Sequence, residues 1–191
     1  MINSASIQCW FVFRATYGRE GKACEIIRQE GMRAYLPTKR LQVVIGGVAR
    51  TIQKPLLPNL LFVYCSPTQA DHLVKKHHTL PKFIRYYFNH LILNPDGTNP
   101  PLIVPEHEMI NFIRLTSVDS DHIRVVDPAK CHFHDGDLVR VTQGAFEGVV
   151  GRVARFAGQQ RVVIVLEGLC AVASAYVPSA FLEPEDSTKK M

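Results

Sequence analysis

The sequence predicts an α+β protein of two domains. An N-terminal mixed α/β sandwich, an antiparallel sheet with flanking helices, is linked to a small C-terminal β-barrel. Three observations predict this. Apolar strand-like runs alternate with amphipathic stretches through the first half. Short β-branched runs separated by glycine turns fill the end of the chain. The charge divides in the same way: residues 1–118 carry 14 Lys/Arg against 7 Asp/Glu, and residues 119–191 carry 8 against 10.

Cys9-Trp10-Phe11-Val12-Phe13-Arg14-Ala15 is rich in aromatic and β-branched residues and reads as a strand. Gly18 ends it. Arg19 to Gln29 follows as a helix, with Ala23, Ile26 and Ile27 at helical spacing and Gly31 placed to stop it. Ala34-Tyr35-Leu36-Pro37 starts an extended piece. Leu41–Ile45 and Val48–Ile52 then form a hairpin across Gly46-Gly47. Prolines at 55 and 58 confine the next residues to a sheet edge, and Leu60-Leu61-Phe62-Val63-Tyr64 continues as an apolar strand. Thr68 to Lys76 reads as a short helix with Thr68 as N-cap. Phe83–Phe88 and Leu91–Leu93, separated by Asn89-His90, predict a second hairpin before a turn region at Asn94–Pro101. Pro105 to Leu115 reads as a helix with proline near its first turn.

Apolar periodicity fades after Thr116, so a linker is placed over 118–133, between a first domain of 1–117 and a second of 134–185, with 186–191 as a tail. Strands are expected near 138–142, 149–156, 161–166 and 171–177. Their spacing suggests a small SH3-like barrel. Within it, Gly136-Asp137-Leu138-Val139-Arg140-Val141 alternates apolar and polar positions. Gly144 and Gly148 sit where a tight connection needs positive φ or close backbone approach. Phe146 between them can plug a barrel end, and Gly151 relieves the next strand.

No apolar run approaches the length that crosses a bilayer, and the first residues lack the pattern of a signal peptide, which predicts a cytoplasmic protein. The five cysteines show no C-x-x-C pair and read as reduced, mostly buried side chains. Cys131-His132-Phe133-His134-Asp135 lacks tetrahedral-site spacing, so no metal or other cofactor is expected. There is no glycine-rich phosphate loop, nucleophile elbow or H-x-x-x-H pair, and the chain is not expected to be an enzyme. The basic first domain and mildly acidic second one predict that only the first meets nucleic acid.

The string G-D-x-V-R-V-x-x-G-x-F-x-G-x-x-G over Gly136–Gly151 resembles the KOW motif of NusG-type transcription elongation factors and some ribosomal proteins. Further matches precede it: Trp10-Phe11-Val12, Gly18-Arg19-Glu20, Tyr35-Leu36-Pro37, Pro55 to Val63 and Ile103-Val104-Pro105. Together these resemble the NGN-plus-KOW order of that family over nearly the whole chain. Pro58-Asn59 and Gly144-Ala145-Phe146-Glu147-Gly148 are closer to the specialised RfaH and UpxY type. Met109 to Leu115 is similar to the UpxY branch that serves capsular polysaccharide operons.

The resemblance implies a non-enzymatic factor that docks on the clamp coiled coil of RNA polymerase and promotes processive antitermination. It assigns polymerase binding to Phe13, Arg14, Leu57, Leu60 and Phe62. Leu57 and Leu60 stand where aromatics are usual, and alternate positions of such a strand are also plain core. For nucleic acid, non-template DNA or nascent RNA, the candidates are Arg19, Lys75, Lys76, His77, His78 and Arg85, with Tyr86 or Tyr87 to stack on bases. A solvated helix end is the bland alternative. The KOW residues Gly136, Asp137, Val139, Arg140, Val141, Gly144, Phe146, Gly148 and Gly151 would form an arm recruiting ribosomal protein S10 or Rho. Two other readings stand beside this one: a general NusG-like factor coupling polymerase to ribosome or Rho, and a KOW-type ribosome-associated RNA-binding protein.

Overall fold

A computed structural model describes residues 7–118, 123–127, 132–156 and 158–185. The chain divides into two compact units, one formed by 1–38 with 55–106 and the other by 39–54 with 107–191.

The first unit is built on β1 (Cys9–Ala15). The strands that follow in the chain are β2 (Arg33–Tyr35), β3 (Thr38–Ile45), β4 (Val48–Pro55), β5 (Leu60–Cys65), β6 (Ile84–Tyr86) and β7 (Ile103–Val104), of which β3 and β4 belong to the second unit. β1 and β5 are apolar on both faces, as central strands must be. They pair antiparallel, with Val12 opposite Phe62 and Arg14 opposite Leu60. β2 takes the free edge of β5, while β6 and β7 share the other edge of β1.

Helix α1 (Glu20–Gln29) presses Ala23, Cys24 and Ile27 into the core formed by Phe11, Phe13, Ala15, Leu61, Val63 and Cys65 on one sheet face. Helix α2 (Pro67–Asp71) begins earlier than the sequence suggests. Ser66 is its N-cap: the hydroxyl accepts from the Gln69 N–H and the Gln69 side chain accepts from the Ser66 N–H. Proline at the first helical position completes a capping box that Thr68 cannot offer. His72–Lys76 continues as one π-helical turn.

The expected hairpin over 83–93 does not form. Asn89 instead makes a turn, its side chain accepting from the Leu91 N–H and its carbonyl from the Ile92 N–H. The return partner lies further on: the Asn89 N–H donates to Pro100, Phe88 bridges to Pro101, and the Leu102 N–H donates to Tyr87.

In the second unit β3 and β4 form a two-stranded ribbon across Gly46-Gly47, as expected. Helix α3 runs from Glu106 to Ser117. The remaining strands are β8 (Arg124–Val126), β9 (His132–Val141), β10 (Val150–Phe156), β11 (Gln159–Leu166), β12 (Cys170–Tyr176) and β13 (Leu182–Pro184). They make one antiparallel sheet in the order β13-β9-β10-β11-β12-β8. β8 falls inside the segment expected to be linker and pairs with β12. Register shifts at Arg152/Ala154 and Arg161/Val163 bend the long strands. Among the described residues the strand path is open, ending at β13 and β8, so it does not show a closed barrel. Among the same residues, no helix is long and apolar enough to cross a membrane. Residues 1–6, Cys131 and the predicted tail 186–191 lie outside the described residues.

Candidate functional site

The face of the first sheet opposite α1 carries Trp10, Val12 and Arg14 from β1 and Leu60, Phe62 and Tyr64 from β5. Its interior end is closed: Val12 and Phe62 are fully buried, and Trp10 and Tyr64 pack at 5.3 Å between ring centres, with the Arg33 guanidinium over both. The other end is open. There the pairing places Leu60, Arg14 and Arg85 in one row across β5, β1 and β6. Leu60 is half-buried and both arginines are exposed. The Arg85 guanidinium is braced by the carbonyls of Pro81 and Ile84. An aliphatic side chain beside two cations suits a protein surface that is apolar and acidic.

The turn that leads into Leu60 is held from two sides. Asn59 has φ 63°, a left-handed conformation that asparagine tolerates better than most residues. Its side chain accepts from the Gly18 N–H, its own N–H donates to Glu20, and its carbonyl accepts from the Ala15 N–H. Sequence reasoning quoted Pro58-Asn59 as a resemblance but missed this brace; a Pro-Asn pair before an apolar strand is the signal that could have found it.

The five residues expected to bind polymerase therefore separate. Arg14 and Leu60 meet at the open end of one face. Phe62 shares that face but is sealed, and Leu57, in the preceding turn, is 6% exposed. Phe13 lies on the opposite face, fully buried in the core beneath α1. Arg85, expected to meet nucleic acid, lies beside Arg14 in this row.

The remaining basic candidates also divide. His77 is buried: its Nδ1 accepts from the Thr79 and Leu80 N–H groups, both at 3.0 Å, and its Nε2 lies 2.8 Å from Glu30. It ties the chain together from a buried position. His78 is exposed and stacks on it at 4.2 Å. Lys76 is exposed, whereas Lys75 is paired with Asp71 at 2.9 Å. Lys75 first, then the Tyr86 hydroxyl, hold the Asp71 carboxyl below its usual range. Tyr86 is not free to stack on a base, since its ring stacks on Phe13 and its hydroxyl donates to Asp71. Burial, then Asp71, raises that phenol. Tyr87 is half-buried and meets His90 edge-on. Arg19 precedes α1 and lies over the rings of Phe83 and Tyr17. Burial likewise pushes the Cys65 thiol, with Cys9 beside it, up to about 12, which suits an inert core cysteine.

In the second unit the glycine-bearing turn takes the form expected of it. Gly144 and Gly148 have φ of 86° and 78°, and Phe146 between them is buried. A Cβ on Gly151 would lie 2.8 Å from both the Val163 carbonyl and Val162 Cγ1, so β10 needs glycine there. Val139 and Val141 face inward, while Arg140 closes β9 onto the end of β13 through two hydrogen bonds to Glu185. Gly136 and Asp137 belong to β9. Helix α3 holds this turn: Arg114 donates to the Gly148 carbonyl, and Asn111 accepts from the Val150 N–H. Neither contact is visible in the sequence pattern.

A family model described as "Transcription termination factor nusG" matches residues 8–113. A solved structure titled "Domain interaction in Thermotoga maritima NusG" is similar at 17% identity, covering 94% of this chain and 98% of that one, with a TM-score of 0.40. The family match takes in more than half of the chain, and the chain belongs to the NusG family of transcription elongation and termination factors.

Proposed function

We propose that this protein is a processive antiterminator of the specialised NusG branch, riding on RNA polymerase through its first sheet. The observation that carries the reading is the row Leu60–Arg14–Arg85 at the open end of that sheet. A helical hairpin with an apolar ridge and acidic flanks, such as the clamp coiled coil, complements it: Leu60 supplies apolar area, and the arginines supply orientation and association rate. Leu57 and Phe62 shape the floor beneath the dock, and Phe13 keeps the sheet rigid from behind. Lys76, Arg19 and the exposed His78 remain available for non-template DNA or nascent RNA.

Residues 134–185 serve as the KOW arm, joined through 118–133 to an N-terminal domain of 1–117. Its strand order β13-β9-β10-β11-β12, with two bulged strands, favours an SH3-like barrel. Its partners are ribosomal protein S10 or Rho. The resemblance of Met109–Leu115 to the UpxY branch favours a polysaccharide-biosynthesis operon as target.

Transcription in vitro through a terminator tests the reading. Wild-type protein should raise readthrough on a template bearing its own operon leader. Arg14→Glu with Leu60→Asp should return readthrough to the level of polymerase alone, with the circular dichroism spectrum unchanged. Equal readthrough by the double variant would reject the dock. Equal stimulation on every template would reject the specialised branch in favour of a general factor.

A further inference from the structure

Tyr86 and Tyr87 are held within the fold, but the first unit carries another ring that is not. Tyr17, in the turn between β1 and α1, is 89% exposed, the most of any large apolar side chain among the described residues. Its φ is 59°, a left-handed backbone that a bulky residue rarely adopts, and strain of that kind gathers at ligand sites. The turn is fastened on both sides of it. The Thr16 N–H and hydroxyl donate to the Phe83 carbonyl, the Gly18 N–H donates to the Asn59 side chain, and the Arg19 N–H donates to the Thr16 carbonyl. The ring therefore stands in solvent on a fixed base. The Arg19 guanidinium lies over one of its faces, 5.9 Å from the ring centre, and 5.6 Å from that of Phe83. Lys22 follows one helical turn after Arg19, and Lys82 adjoins Phe83; all three cations are exposed. The one acid in 10–22 and 79–88, Glu20, is buried and accepts from the Asn59 N–H.

We propose that Tyr17 is a stacking platform for one unstacked base of a single-stranded nucleic acid, with Arg19, Lys22 and Lys82 on the flanking phosphates. The free face of the ring offers any base a π contact, and the cations beside it follow a charged backbone. A duplex keeps its bases stacked on one another and leaves none for the ring. A protein partner is the rival, since tyrosine and arginine also anchor interfaces. Such anchors sit among apolar neighbours, however, whereas the charged side chains exposed around this ring are all cations. The assignment rests on the reading that the first unit meets nucleic acid, and supplies the aromatic that Tyr86 and Tyr87 cannot.

Fluorescence anisotropy of the full chain with a labelled DNA single strand, its duplex and an abasic strand of equal length tests the platform. Wild type should prefer the single strand. Tyr17→Asn removes the ring but keeps a residue that tolerates left-handed backbone, so the variant should fold. It should bind the strand about tenfold more weakly, while Tyr17→Phe retains wild-type binding and the abasic strand binds Tyr17→Asn and wild type alike. Arg19→Ala with Lys82→Ala should lower the slope of log affinity against log salt by about 1.4. An RNA strand of the same sequence separates the two sources by relative affinity. Undiminished binding by folded Tyr17→Asn, equal binding of the duplex, or loss of polymerase capture with strand binding intact would each overturn the platform. Absence of strand binding by wild type would overturn the nucleic-acid reading of the first unit as well, so the two failures are distinguishable.

Discussion

His77 lies in Lys75-Lys76-His77-His78, a run whose composition points to solvent, yet its ring is built into the fold. Its Nδ1 receives two backbone N–H groups, which places the ring proton on Nε2, facing Glu30. Truncation to alanine leaves the Thr79 and Leu80 amides without that acceptor in a place where water is scarce. His77→Ala should therefore cost about 2–3 kcal/mol in urea denaturation, against no more than about 0.5 kcal/mol for the exposed His78→Ala. Equal effects would mean that the ring does not brace the chain. The sequence could not reveal this, because Glu30 stands far back along the chain and nothing local distinguishes His77 from its neighbour. Gly151 is the opposite case. Its requirement was legible, since a glycine within a β-branched run has few reasons other than close backbone approach.

Elements whose character is set by their own residues were legible: β1, β5, α1, the ribbon with its two-glycine turn, and the strands around Gly144–Gly148. Those set by distant partners were not. The Phe83–Leu93 hairpin fails because Asn89 turns the chain toward Pro100, and β8 exists because β12 offers it an edge. Helix α3 carries an electrostatic cost of the same origin. Glu108 lines a cleft of about 360 Å³ with His107, Asn111, Arg152 and Glu167. Burial, then the Glu167 carboxylate, raises its pKa. A carboxyl raised in the folded state binds its proton more tightly there than in the unfolded chain. Its charged form therefore destabilises the fold increasingly as pH rises from the ordinary value, about 4.3, through the raised one. Glu108→Gln should raise the melting temperature at neutral pH, with the gain vanishing below about pH 4. A gain that persists in acid would point to packing, not charge.

Across the whole molecule the division of charge places most of the basic residues in the first half, and there the structure separates them by place. Arg14 and Arg85 join Leu60 at the sheet's open end, the ribbon holds an acid-free set, and His77 is withdrawn into the core. The candidate dock was legible as a segment but not as a surface. Strand register, which the sequence pattern does not fix, decides that Arg85 is Arg14's neighbour and that Phe13 faces away. On the proposed dock, polymerase association depends on two or three side chains and not on the whole apolar strand. Equilibrium binding of the labelled chain to core RNA polymerase tests this most directly. Leu60→Asp should weaken binding by at least about tenfold, as loss of a central apolar contact does, with thermal unfolding close to wild type. Wild-type affinity in a folded Leu60→Asp protein would contradict the dock at this face.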